Sequence, residues 1–142
     1  MIGISTYGED RIPKLEYAES DAKKFEAALK DPKVGNISSE NVTALIGSQA
    51  TKTRIEARVK SLAGQTLSGE TLIVYFSGHG TPSAKGEPWL VPWDADPNDL
   101  PSSVIGLRDL QSTRTAGGNL VLILFTYGAA TEQRLAPARP GS

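Results

Sequence analysis

The chain has 142 residues, of which 39% are apolar and 22% are charged, and its net charge is −1. This length suits one domain with a single core, and its scattered lysines and arginines form no basic patch for nucleic acid or an anionic membrane. The apolar runs are too short to span a membrane and the first residues do not resemble a secretory signal, so a cytoplasmic protein without nucleic-acid or membrane partners is expected. The absence of cysteine excludes disulfide bonds and thiolate metal sites.

Four apolar segments predict β-strands. In chain order they are residues 2–5 ("IGIS"), 41–47 ("NVTALIG"), 71–76 ("TLIVYF") and 119–125 ("NLVLILF"). The last two are continuous apolar runs with β-branched residues, which is typical of parallel strands covered on both faces.

Helical patterns lie between the predicted strands. The first begins at Ser20, an N-cap type of residue, and continues until Pro32 stops it. The second begins at "TRIE", residues 53–56, which fits a capping box, and it ends near Gly64. A short third helix is predicted from Leu107.

This alternation of strands and helices predicts the fold class. It indicates an α/β domain with an open, mostly parallel sheet flanked by helices on both faces. The domain is assigned to residues 1–135, and the Pro-rich and Gly-rich residues 136–142 are interpreted as a flexible tail.

The only histidine, His79, stands in "SGHG" directly after the third predicted strand. Sites in open parallel sheets lie beyond the carboxyl ends of the strands, so the imidazole is expected at such an edge. Gly78 and Gly80 permit a sharp exit from the strand, and the ring is then expected to face a crevice on the same side as the Ser77 hydroxyl. The residues alone leave open a histidine that only caps the strand end through hydrogen bonds.

The stretch "YFSGHGT" resembles the histidine motif of the caspase and metacaspase superfamily of cysteine peptidases. Other segments are similar to this family in the same order, namely "IGISTYG", "LEYAESDAKKFEAAL", "NVTALIGSQATKTRIEARVKSLA" and "GEPWLVPWDADPNDLPSSVIGLRDL". The resemblance covers nearly the whole chain. It implies the large-subunit-like portion of a caspase-like fold, truncated after the fourth strand.

The resemblance implies peptide hydrolysis by a cysteine thiolate and a histidine base. His79 matches the base, and Gly80 matches the residue whose backbone N–H helps to hold the oxyanion. Asp21 and Ser77 match residues of the substrate pocket of metacaspases, and an acidic pocket suits arginine or lysine in a peptide or protein substrate. Two structural roles remain open: Asp21 as a stabiliser of the first helical turn and Ser77 as a strand-end hydrogen-bonding residue.

The family's nucleophile, which follows the last strand as Asp-x-Cys, is missing from this chain. Counting from the strand puts Phe125, Thr126 and Tyr127 at these three positions, whereas counting from "GAA" finds no such triplet. Both alignments remove the thiol. A hydroxyl nucleophile needs a closely placed base, and none of the hydroxyls of Thr126, Tyr127 and Ser77 stands at the position that the reaction requires, so the chain is predicted to be inactive or nearly so.

Two hypotheses follow from the missing cysteine. In the first, the sequence represents a caspase-like peptidase, and the missing thiol reflects a fragment or an erroneous gene model. In the second, the chain is a natural pseudo-peptidase that binds peptides or partner chains without cutting them. A sheet without the family's later strands keeps an open edge, which predicts self-association or a partner chain.

No cofactor is predicted for this chain. Calcium enters only through the resemblance, because metacaspases are often calcium-dependent. Asp94, Asp96 and Asp99 are close in sequence, but they lack the glycine and the bidentate glutamate of an EF-hand loop. Neighbouring prolines predict a turn closed by Asp96 or Asn98 instead.

Overall fold

A computed structural model describes residues 1–127 and contains a six-stranded sheet with helices on both faces. The strands are β1 (Ile2–Gly3), β2 (Leu45–Ile46), β3 (Thr71–Pro82), β4 (Pro88–Leu90), β5 (Ile105–Gly106) and β6 (Asn119–Tyr127). The helices are α1 (Ala18–Lys30), α2 (Lys52–Gly64), α3 (Leu100–Ser103) and α4 (Leu107–Gln111). The predicted tail, residues 136–142, lies outside the described residues.

Four of the strands form a parallel ladder in the order β2–β1–β3–β6. β3 lies at its centre and pairs with β6 from Thr71 opposite Asn119 to His79 opposite Tyr127. The last residues of β3 pair with β4, and β4 pairs with β5, both in antiparallel fashion. The prediction of an open, mostly parallel sheet with the helix from Leu107 is confirmed. The two short antiparallel strands were not predicted.

β3 is longer than the apolar run that predicted it. The strand begins at Thr71 but continues to Pro82, so "SGHG" lies inside the strand and not after it. The predicted sharp exit at Gly78 and Gly80 is therefore wrong. These glycines instead allow close approach, since a methyl group would lie 2.9 Å from the Tyr7 hydroxyl at Gly78 and 2.9 Å from Thr126 Cβ at Gly80.

The side chains of β3 alternate between two covered faces. Val74 and Phe76 join the main core, which also contains Ile55 and Val59 of α2. On the other face, the Tyr75 ring stacks on Phe25 of α1 with centroids 4.6 Å apart. Helices therefore cover both faces of the sheet, as the sequence predicted.

Helix α1 begins two residues before the predicted N-cap. Ser20 lies within the first turn, where its hydroxyl donates to the Tyr17 carbonyl. The helix is capped from a distant segment instead: the Glu19 N–H donates to Ser5 Oγ at 3.0 Å, and the Ser5 N–H donates to the Glu19 carboxylate at 2.9 Å. A cap that comes from elsewhere in the chain leaves no signal in the local spacing.

Helix α2 also begins earlier than predicted. Its N-cap is Thr51, whose hydroxyl accepts a hydrogen bond from the Arg54 N–H, so the capping box at residues 53–56 is wrong. Asp94 accepts from the Lys52 N–H at 2.9 Å and stabilises the same helix end. The predicted strand at residues 41–47 is reduced to β2, because short 3₁₀ turns stand on both sides of it.

The acidic segment after β4 forms the predicted turn, in which Asp96 Oδ1 accepts from the Asn98 N–H at 2.9 Å. Among the described residues, no group of three or more histidine, cysteine, aspartate or glutamate side chains is placed to hold a metal ion. No helix within residues 1–127 has the length and apolar character needed to cross a membrane.

Candidate functional site

His79 lies near the carboxyl end of β3 and its side chain is 0% exposed. Its Nε2 lies 2.7 Å from the Pro13 carbonyl oxygen, and its Nδ1 lies 3.0 Å from the Tyr127 carbonyl oxygen. The His79 backbone N–H donates to the Tyr7 hydroxyl at 2.8 Å. The histidine thus joins the loop after β1 to the ends of β3 and β6. The expectation of a ring that faces an open crevice is wrong, because this loop covers it.

Both ring nitrogens of His79 face a backbone acceptor. A neutral imidazole carries one N–H and donates to one of the two carbonyls at a time, whereas a doubly protonated ring donates to both. A general base needs an unprotonated nitrogen aimed at the proton that it removes. Here the neighbours of the two nitrogens are the carbonyl oxygens of Pro13 and Tyr127, neither of which has a proton to give.

Ser77 lies on the same face of β3 as His79, as predicted, and it is also fully buried. Its hydroxyl makes no hydrogen bond to any described residue, so the interpretation as a strand-end hydrogen-bonding residue is wrong. An unpaired buried hydroxyl is uncommon and destabilising, which marks this position as unusual.

Asp21 lies half-buried in the first turn of α1, a position that fits both of its predicted roles. It is connected to the sheet through Tyr75. Burial raises the pKa of the Tyr75 phenol, the nearby Ser77 hydroxyl lowers it without reaching hydrogen-bond geometry, and the charges of Asp21 and Tyr127 raise it further. The structure therefore groups these four side chains around one region on the α1 face of the sheet.

Gly80 pairs with Leu90 where β3 meets β4. The His79 carbonyl accepts from the Val91 N–H on the β4 side, so the alternation of the strand directs the Gly80 N–H toward the side on which β6 ends. A role for this N–H in holding an oxyanion stays a prediction.

Sequence reasoning missed Tyr7 and Pro13 as parts of the site. Tyr7 was a detectable candidate, because a buried tyrosine usually needs a partner for its hydroxyl. The Pro13 carbonyl has no such signal, since its position depends on how the whole loop after β1 folds.

Replacing Tyr7 by phenylalanine is expected to lower the free energy of unfolding by about 1–2 kcal/mol at neutral pH, because the buried His79 N–H loses its acceptor. The substitution should also reduce the change of the free energy of unfolding with pH in the alkaline range. Burial raises the pKa of Tyr7 well above its usual range, although the hydrogen bond from His79 lowers it and Glu19 raises it further. The folded chain therefore holds this proton more tightly than the unfolded chain.

The stabilising contribution of Tyr7 is complete below the unfolded pKa of about 10 and is lost above it, by up to about 1.4 kcal/mol per pH unit. Urea unfolding at about pH 8 and about pH 11 measures this slope, which should be smaller in Tyr7→Phe. Tyr17→Phe, on an exposed side chain, is the matched control and should keep the wild-type slope. Equal slopes in all three proteins would contradict the prediction.

The architecture defines the class of protein. A central parallel sheet covered by helices, with a histidine near the end of its longest described strand, is compatible with a caspase-like peptidase fold. The Caspase domain family model matches residues 1–131, and the chain therefore belongs to the caspase domain family. This family indicates a cysteine peptidase-like function, although the chain contains no cysteine. No curated protein matches the chain.

Proposed function

We propose that this chain is a caspase-family domain that binds peptide or protein chains without cleaving them. The observation that carries the proposal is the pairing of His79 with Tyr127 across the β3–β6 ladder. When the resemblance is counted from the strand, Tyr127 occupies the place of the nucleophilic cysteine, and the sequence contains no cysteine.

The hydroxyls near His79 are poor substitutes for the missing thiol. A hydroxyl nucleophile requires a base that takes its proton during the attack. The two nitrogens of His79 contact backbone carbonyls, and the loop after β1 encloses the ring. This arrangement favours a structural role for the histidine over proton transfer to a substrate.

The binding part of the proposal rests on Asp21 and Ser77. The half-buried Asp21 carboxylate is suited to the guanidinium of arginine or the ammonium of lysine. The Ser77 hydroxyl is unpaired but fully buried, so it contacts a peptide only if binding opens this region of the α1 face. We therefore infer that the chain prefers peptides with a basic side chain.

Fluorogenic peptides that end in arginine or lysine test the absence of cleavage. The wild-type chain is expected to release no fluorophore above the rate of His79→Gln, in which the new amide keeps an N–H donor at this position. Release by the wild-type chain that disappears in His79→Gln would show an active peptidase and would overturn the proposal.

The same peptides without the fluorophore test binding by calorimetry. Asp21→Asn is expected to weaken the binding of a peptide that ends in arginine by about tenfold, since it removes the paired charge. Asp109→Asn makes the same charge change on α4 and should leave the affinity unchanged. An Asp21→Asn affinity equal to that of the wild type would remove the basis for a preference for basic residues.

A further inference from the structure

A pocket of about 480 Å³ lies between α2 and the segment that contains β5 and α4. Its floor is formed by four buried apolar side chains, which are Val59 of α2 and, opposite it, Val104, Ile105 and Leu110. The volume falls within the range of about 300–1,000 Å³ that is typical of small-molecule sites. The pocket is on the α2 face of the sheet, whereas Asp21 is on α1 at the other face, so the pocket does not depend on the proposed peptide binding.

Hydrogen bonds bridge the two sides of this pocket at both of its ends. At the first end, Lys52 Nζ donates to the Ser102 carbonyl at 2.8 Å and joins the start of α2 to α3. At the second end, the Ala116 N–H donates to the Ala63 carbonyl at 3.1 Å and holds the segment after α4 against the last turn of α2. An extended peptide would have to leave through one of these ends. The shape therefore favours a small molecule as the occupant.

Two cationic side chains line the second end of the pocket. Lys60 lies one turn before Ala63 in α2, and Arg114 lies two residues before Ala116, so the hydrogen bond at this end brings both cations to it. Within residues 1–127, neither cation has an ion-pair partner. Two such cations beside an apolar floor complement a molecule that has one anionic group and an apolar body.

The other charged residues of the lining do not cancel this positive charge. Lys52 Nζ lies 3.9 Å from the Glu56 carboxylate, so these two charges offset each other at the first end. The Asp109 carboxylate is directed toward β5, because one of its oxygens lies 2.9 Å from the position that a methyl group on Gly106 would occupy. The unpaired positive charge is therefore found at the second end.

We propose that this pocket binds a small amphipathic carboxylate. The carboxylate group lies between Lys60 and Arg114, and the planar guanidinium of Arg114 can donate two parallel hydrogen bonds to it. The apolar body of the ligand covers Val59 and Leu110, where its removal from water contributes to the affinity. The charge pair determines which head group is accepted, and the floor holds the rest of the molecule.

NMR titrations of the full 142-residue chain with octanoate, octanol and octylammonium test the site. The three compounds share an apolar body and differ in the charge of the head group. Octanoate is expected to shift the signals of Val59, Ile105 and Leu110 and to bind about tenfold more tightly than octanol, because only the carboxylate pairs with the cations. Octylammonium should bind more weakly than octanol. Residues 128–142 are present in this experiment, so a segment that covered the pocket would prevent these shifts.

Substitution of the two cations tests the head-group contact. Lys60→Gln and Arg114→Gln, both at exposed positions, should each weaken octanoate binding by about threefold, and together by about tenfold, without changing octanol binding. Arg54→Gln removes an exposed arginine of α2 outside the pocket lining and should bind octanoate like the wild type.

Three results would each overturn the proposal. The first is an octanoate titration that leaves the floor signals in place or shifts only signals of other surfaces. The second is octanol or octylammonium binding as tight as that of octanoate. The third is a chain with both substitutions that keeps the wild-type affinity for octanoate.

Discussion

Replacing His79 by alanine is expected to lower the free energy of unfolding by about 3–5 kcal/mol. The substitution removes a fully buried ring and leaves a cavity in the packed end of β3. It also removes the two ring nitrogens that the carbonyls of Pro13 and Tyr127 now face, and with them the hydrogen bond that the ring donates. Urea unfolding followed by circular dichroism measures the loss.

Ser77→Ala is the matched control for this prediction, because it truncates a buried polar side chain on the same face of the same strand. The Ser77 hydroxyl has no partner among the described residues, so its removal should leave stability unchanged or raise it by up to about 1 kcal/mol. A His79→Ala chain as stable as the wild type would show that the ring does not hold the loop to the sheet. Equal losses in both variants would show that the strand end tolerates no truncation.

Replacing Gly3 by alanine is expected to lower the free energy of unfolding by about 3 kcal/mol, at the upper end of the cost of overpacking. The new methyl group would lie 2.6 Å from Ala22 Cβ and 3.1 Å from the Ala18 carbonyl oxygen. Both atoms belong to α1, and neither is the movable end of a long side chain. The helix must therefore shift away from β1, and with it Asp21.

Gly64→Ala is the control for Gly3→Ala, since Gly64 is the last residue of α2 and a methyl group there meets no atom within 4 Å. Alanine favours a helix over glycine, so this change should stabilise the chain by up to about 1 kcal/mol. Thermal unfolding of the two variants is expected to show shifts of opposite sign. A Gly3→Ala chain that melts with the wild type would contradict the packing of α1 on β1.

The general fold was predictable because its main elements have strong local signals. The apolar runs that start at Thr71 and Asn119 are long enough to identify two buried parallel strands without knowledge of the rest. For β3 the apolar run ends at Phe76, before the strand does, because the following residues "SGHGTP" contain no apolar residue. These six residues continue the strand because neighbouring strands pair with them. β4 and β5 have only three and two residues, which is too short for a strand pattern to be recognised by itself.

The site was predictable in its position but not in its environment. Alternation along one strand was sufficient to place Ser77 and His79 on the same face. The burial of the imidazole depends on Tyr7 and Pro13, which lie more than sixty residues earlier in the chain. Local spacing carries no information about contacts at that separation. Because of these contacts, His79 is a buried residue that connects the loop after β1 to the sheet, and not an exposed base.

The position of β3 has a consequence for how the molecule opens. This one strand is hydrogen-bonded to β1, β4 and β6, so it belongs to both the parallel and the antiparallel part of the sheet. Partial opening can detach β2 or β5, each only two residues long, without disturbing it. Exchange of its amide protons with solvent is therefore expected to require the cooperative loss of the whole domain, whereas the amides of β2 and β5 are expected to exchange by local fluctuations.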